Sequence, residues 1–356
     1  MLNIRVEKTA NPKVKPDFIN NIPGWGAVTT DHMFLMNYNR EQGWHDARIV
    51  PYGKFEVDPA CMAFHYAQEI FEGVKLFKNK DGVPLLFRID QNAARFRRSA
   101  RRVMIPEIPE EDFIDAVKAL VTVDKDWIPD APETCLYMRP VCFAYESAVG
   151  VRVANEYMFA IIACPVSTYP CEPTESCLIM TSMSRAGDGG TGGDKCGCNY
   201  AGTLLPQAIA ESKGYSEVAF ADATEHKYIG EISASNLMFI IDGTFVCPAL
   251  DGTILPGITR DSLLYLCREM GIPVEDRKVT VEEVREALKN GTCTEAMSTG
   301  TAVAIEPLNR IGFEDGEDYI VGDGKTCPIA KRLFDRLIGI QKGEQEAPEG
   351  WIIEVK

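Results

Sequence analysis

The chain has no run of about 18 apolar residues, so no transmembrane helix is expected. Its first residues, Met1-Leu-Asn-Ile-Arg-Val-Glu7, hold no apolar signal core and carry an early acid, which argues against a targeting peptide. Basic residues are the minority. The 37 Lys and Arg against 52 Asp and Glu leave a net charge of −15, which disfavours nucleic acid and anionic membrane as partners. Histidine is scarce: the four (32, 45, 65 and 226) do not cluster. No Cys-x-x-Cys pair exists, and Cys196-Gly-Cys198 lacks two further nearby ligands, so no metal site is expected. There is no internal repeat and no low-complexity segment.

What is present is enough apolar material for large cores, 46% of 356 residues, a length suited to two domains of about 150 residues each. The 12 cysteines are scattered, and Cys142, Cys164 and Cys267 sit in apolar runs, where reduced cysteine behaves as a small hydrophobe. That fits a reducing cytoplasm better than a disulfide scaffold.

Along the chain, strand-like Phe34–Tyr38 is followed by a helical pattern from Cys61. Phe71–Phe77 reads as a helix end turning into a strand, and Val83–Arg88 as a short strand. Asp90 is placed to cap an Arg-rich helix to about Arg102, and Glu110–Trp127 is amphipathic. Thr134–Phe143 and Glu156–Cys164 read as strands buried on both faces. Three prolines in Pro165–Pro173 mark an interdomain linker. Beyond it come strands at Leu178–Met183 and Glu217–Ala221 and a hairpin at Asn236–Val246 turned by Asp242-Gly243. Thr253–Asp261 opens a helix stopped at Gly271, and Thr280-x-x-Glu283 forms a capping box.

The most unusual stretch is Arg185–Tyr200, where six glycines flank Lys195. Glycine permits positive φ and close approach of a bulky ligand. A lysine held between a strand and a helix carrying Leu204, Leu205, Ala208 and Ile209 can serve as a Schiff-base nucleophile. The bland alternative is a surface loop with a solvated lysine. Pro256-Gly-Ile-Thr259 is a helix start able to receive an anion, or an ordinary cap. Glu231 lies at the edge of an apolar region, and Arg95 is one of five arginines that composition cannot separate.

Lys195-x-Gly-x-Asn-Tyr200 resembles the cofactor-lysine segment of branched-chain aminotransferases, pyridoxal-phosphate (PLP) enzymes of fold type IV. Further stretches match in order: His65-Tyr66, Phe71–Phe77, Phe87-Arg88 with Arg95, Val123–Asp130, Leu136–Pro140, Val149–Val151, Glu231–Asn236, Leu255–Arg260 and Thr299–Ala302. The resemblance implies a mixed α/β (α+β) fold. A smaller N-terminal open α/β domain (1–164) and a linker (165–173) precede a larger pseudo-barrel domain (174–356). It implies that Lys195 is the catalytic Schiff-base lysine and proton shuttle, that Tyr200 bonds the ring's phenolic oxygen, and that Glu231 pairs with the ring nitrogen. Arg95, Ile258, Thr259 and Thr301 would hold the phosphate. Tyr137, Thr301 and Ala302 would meet the substrate α-carboxylate, Phe71 and Tyr169 would line the side-chain pocket, and Arg139 would take the distal carboxylate of glutamate. Tyr66 and Val151 would reach in from the partner of a homodimer.

The expected activity is amino transfer between branched-chain L-amino acids (leucine, isoleucine, valine) and 2-oxoglutarate, with ping-pong kinetics. Two other readings stay open: a fold-type IV relative acting on D-amino acids or aminodeoxychorismate, and a PLP carrier without turnover. Three positions depart from the family pattern. Cys198 stands where many relatives have glycine, and Ala234 where some have threonine or glycine. Val303–Glu306 lacks the Cys-x-x-Cys redox pair of mammalian relatives.

Overall fold

Alternating apolar patterns build two separate sheets in the computed structural model, which describes residues 2–18, 24–131 and 133–355. The elements begin with β1 (Arg5–Val6), β2 (His32–Asn39), β3 (Gly43–Pro51), α1 (Met62–Tyr66), β4 (Glu69–Phe71), β5 (Val74–Lys78) and β6 (Pro84–Phe87). Then come α2 (Ile89–Arg102), α3 (Glu110–Val123), β7 (Thr134–Ala144), β8 (Glu156–Ser167), β9 (Glu175–Met180), α4 (Cys198–Ala201), α5 (Leu204–Ser212) and β10 (Glu217–Ala221). After them run β11 (Ile229–Ile232), β12 (Asn236–Ile241), β13 (Thr244–Pro248), α6 (Ile258–Glu269), β14 (Val274–Arg277), α7 (Val281–Lys289) and β15 (Cys293–Gly300). The chain closes with β16 (Ala304–Phe313), β17 (Asp318–Ile320), α8 (Pro328–Gln341) and β18 (Ile352–Glu354). No described helix is long and apolar enough to cross a membrane.

Contacts divide the chain into a first unit, Met1–Thr168 with Lys195–Gly197 and Gly339–Lys356, and a second, Tyr169–Asp194 with Cys198–Ile338. The chain passes from one to the other at Thr168 and Tyr169, inside the expected linker. Two expectations are corrected. Lys195 belongs with the first unit, because Lys195–Gly197 bonds to β4. The chain's end also belongs there, because β18 pairs with β6. The first unit is therefore the longer of the two.

In the first unit the sheet order is β1-β3-β2-β8-β7-β5-β6-β18, with β4 also on β7. Its two faces differ. Val74, Leu76, Leu136, Met138, Ile161 and Ala163 join the core with Ala93, Phe96, Phe113 and Val117 of α2 and α3. Lys75, Tyr137 and Cys164 lie side by side in register and point the other way. The helix end expected at Phe71 is instead strand, since Phe71 pairs with Val141 and Val74 with Met138. α2 starts one residue ahead of Asp90, with Arg88 as its N-cap in the left-handed region and no side-chain cap.

The second unit's sheet runs β11-β10-β9-β16-β15-β12-β13-β14, with β17 on β16. Its ends come together at a Tyr228–Thr280 bridge, which gives the curled, barrel-like outline. Asp242 and Gly243 both take positive φ, the hairpin turn their types favour. Thr280 caps α7 by accepting from the Glu283 N–H. The expected apolar face of α5 holds only in part: Ile209 packs with Ala210, but Leu204 and Leu205 are 69% and 62% exposed.

Candidate active site

In the first unit, Lys195 has a fixed main chain. Its N–H donates to Ser99 Oγ of α2 at 2.9 Å, and its carbonyl accepts from Phe71 N–H at 3.1 Å. Cys196 bridges Ile70, and a Cβ on Gly197 would fall 1.9 Å from Glu69 Oε1, so glycine lets this strand-like pairing form. The Lys195 Nζ lies 4.7 Å from the Phe71 ring centre.

Arg95, on α2, is 5% exposed and forked onto Glu72: Nε to Oε1 at 2.6 Å and Nη2 to Oε2 at 2.8 Å. Asn92 also donates to Glu72. Burial pushes the Glu72 carboxyl up, but Arg95, Lys195 and Asn92 more than offset it and hold it below the usual range. Glu72 had no role in the sequence reading. It sits in the gap between β4 and β5, and nothing in local pattern ties it to an arginine 23 residues on.

Tyr137 and Arg139 share one face of β7. The Arg139 guanidinium donates to the Tyr137 hydroxyl at 3.0 Å and lies 4.7 Å from the Phe71 ring, while its Nε has no partner among the described residues. Trp25 meets Tyr137 edge-on at 4.8 Å, and a Cβ on Gly73 would come within 2.4 Å of the Tyr137 oxygen. Lys75, opposite Tyr137 on β5, is 5% exposed with no partner for Nζ among the described residues, and burial lowers its pKa. Sequence reading also passed over Lys75, since an isolated lysine in a strand reads as solvated.

Tyr66 ends α1, and Val151 is 86% exposed on a loop braced by Glu146, which binds Arg152 and Asn155. Tyr169, 37% exposed, opens the second unit.

In the second unit, Glu231 on β11 is 4% exposed. Its Oε1 accepts from the Leu255 N–H at 2.8 Å and pairs with Arg185 Nη1 at 2.8 Å, and its Oε2 accepts from Asn236 at 2.9 Å. Two N–H donors and an arginine satisfy a carboxylate, not a carboxylic acid. Arg185 also reaches the Gly192 and Thr253 carbonyls, tying the glycine-rich stretch to the turn before α6. A Cβ on Gly192 would lie 2.3 Å from the Thr253 oxygen, so the close approach needs glycine there.

Asn236 also accounts for the glycine at the start of α6. A Cβ on Gly257 would fall 2.1 Å from its Oδ1. Ile258 and Thr259 form the buried first turn of α6, which has no side-chain cap. Helix-start N–H groups without such a cap suit an anion. Tyr200 is half-buried on α4. Its neighbour Asn199 accepts from the Thr191 hydroxyl and donates to the Thr191 and Asp194 carbonyls, clamping the approach to Lys195. Thr301 and Ala302 form the turn between β15 and β16. Cys198 and Ala234 are both exposed. Among the described residues, no group of His, Cys, Asp and Glu could hold a metal ion.

Within each unit, then, the site residues predicted from sequence stand beside partners that sequence did not show. In the first unit a lysine on a fixed backbone suits a carbonyl group; in the second, a buried acid paired with arginine suits a basic ring nitrogen, and an uncapped helix start suits a phosphate. Residues 69–311 match the model of the amino-transferase class IV family. The branched-chain-amino-acid aminotransferase 2 of Bacillus subtilis is 43% identical over 99% of this chain and 97% of its own length. That of Mycolicibacterium smegmatis is 41% identical over 99% and 98%. The solved Escherichia coli branched-chain amino acid aminotransferase superposes with a TM-score of 0.76 at 26% identity, covering 92% of this chain and 99% of that one. The chain belongs to the branched-chain-amino-acid aminotransferase family of the class IV aminotransferases.

Proposed function

We propose that this protein moves the amino group of leucine, isoleucine or valine to 2-oxoglutarate, using pyridoxal phosphate, and that it acts as a homodimer in the cytoplasm. The observation that carries the reading is Lys195, whose main chain is held by Ser99 and Phe71 so that the root of its side chain is fixed.

Bound pyridoxal phosphate supplies an electron sink that labilises the α-hydrogen of an amino acid. Its holders are proposed as Lys195 for the carbonyl carbon, Glu231 for the ring nitrogen and Tyr200 for the phenolic oxygen. The phosphate falls to the N–H groups of Ile258 and Thr259 with Arg95 and Thr301. Arg95 comes to that task already forked onto Glu72, which fixes its orientation. Arg185 holds Glu231 ionised and oriented, so the acid keeps its charge for a cationic partner.

Lys195 Nζ would take the substrate's α-proton and hold it for return, a short move for a side chain whose backbone is fixed. Tyr137 and the Thr301-Ala302 turn orient the substrate α-carboxylate. Phe71 and Tyr169 shape the apolar pocket and exclude water. Arg139, which lies against the Phe71 ring, would take the distal carboxylate of glutamate. Tyr66 and Val151 serve the partner's site. Amino donor and oxo acid use one site in turn, so parallel lines are expected in double-reciprocal plots.

The test is Lys195→Ala. The variant should keep its fold by circular dichroism and lose at least 10³-fold in turnover, about 4 kcal/mol of transition-state stabilisation. Turnover near the wild-type level would remove Lys195 from the mechanism.

A further inference from the structure

Cys171 and Cys327 lie 156 positions apart yet touch within the second unit. Cys171 stands two residues after the unit begins, and Cys327 directly precedes α8. The Cys327 Sγ is 3.9 Å from the Cys171 carbonyl oxygen, and each thiol lies close enough to perturb the other. They are 7% and 8% exposed, and both are reduced. The Cys327 carbonyl accepts the Lys331 N–H, so its backbone is fixed by the first turn of α8. No step of amino transfer uses either residue.

We propose that Cys171 and Cys327 are a dithiol modification site that a peroxide converts to an intramolecular disulfide. One thiol, as thiolate, attacks a peroxide oxygen and releases water, leaving a sulfenic acid. The second thiol attacks that sulfur and expels a second water. The two sulfurs lose two electrons and two protons, and hydrogen peroxide becomes two waters. Burial pushes both thiols up in pKa, so the reaction is slow and selective for the pair once the first sulfur is oxidised. The bond would tie the entry of the second unit to the root of α8. It would also restrain Tyr169, two residues before Cys171.

The inference does not depend on the transaminase reading. The folded protein is treated with hydrogen peroxide, its remaining thiols are alkylated after unfolding, and peptides are mapped by mass. The expected result is a Cys171–Cys327 linked peptide two hydrogens lighter than the free pair, with free thiols falling from 12 to ten. Oxidation should raise Tm, and reductant should reverse the shift. Neither Cys171→Ser nor Cys327→Ala should show the rise. Peptide mapping needs only the wild-type protein, so a poorly folding variant does not blunt the test. Loss of thiols only at exposed Cys198, or cross-links to any other cysteine in place of this pair, would overturn the proposal.

Discussion

Two arginines carry more of the site than their place in the sequence discloses. Under the proposed function, Arg139 would serve a pocket that takes an apolar chain from leucine and a carboxylate from glutamate. A weakly hydrated guanidinium suits both, because it can rest on an aromatic face. It does so here, 4.7 Å from the Phe71 ring centre. Arg139→Met is expected to slow the glutamate half-reaction at least tenfold, about 1.4 kcal/mol, with leucine little changed. Stopped-flow spectra with each amino acid separate the two. Equal loss of both would mean that Arg139 merely holds the strand. Arg185 acts through Glu231. Removing one member of a buried pair leaves the other charge stranded, at about 3–5 kcal/mol. Arg185→Met should weaken cofactor binding and move the acid limb of its pH profile upward, because a carboxylate without its cation protonates more readily. Arg185→Lys should restore part of both. A pH profile that does not move in Arg185→Met would show that the arginine only packs. Glycines and the Lys195-x-Gly-x-Asn-Tyr200 spacing made the lysine visible in sequence. Arg185 was not, because its acid lies 46 positions away and only the fold joins them.

At the scale of elements, what was legible followed local rules. The strand Glu217–Ala221, the Asp242-Gly243 hairpin and the Thr280 cap stand where propensity, turn chemistry and capping put them. The faces of α5 and the break between β4 and β5 were not legible, since strand pairing and packing decide them. Three adjacent strands also assemble a feature with no sequence signature. Glu175 on β9, Glu217 on β10 and Glu306 on β16 approach one another. Burial, then Glu306, Glu175 and Glu211, push the Glu217 carboxyl up to about 7. The folded state therefore holds a proton that the unfolded chain has lost above its ordinary value near 4.5. Stability from this group is undiminished below that value and falls as pH rises toward 7. The loss is on the order of 1–3 kcal/mol after allowance for partial solvent access. Glu217→Gln should raise Tm at pH 8 and leave it nearly unchanged at pH 5. A variant whose advantage is equal at both values would show that charge repulsion is not the cause.

The whole molecule is stitched in an order that its sequence conceals. The first unit needs residues 1–168, the tripeptide Lys195–Gly197 and the tail from Gly339, so it cannot be complete until nearly all of the chain exists. The linker expected at 165–173 contains the forward crossing, between Thr168 and Tyr169, and nothing in it marks the return. The return is made by β18. Ile352, Ile353 and Glu354 pair with Phe87, Leu86 and Leu85, and the Trp351 carbonyl accepts the Arg88 N–H at 2.7 Å. Trp351 packs edge-on against Phe87 at 5.4 Å, and Val355 enters the core at 7% exposed. Deleting residues 343–356 removes these side chains and bares the edge of β6. Losing the cover of one to two apolar side chains costs about 3 kcal/mol. For a unit of this size that is roughly 6–12 °C in Tm. An uncovered strand edge also templates association between copies. The truncated protein should therefore melt lower and show concentration-dependent light scattering, although every residue assigned to amino transfer is still present. Melting and scattering equal to the full chain would mean that β18 is decoration and that the first unit is complete without its last stretch.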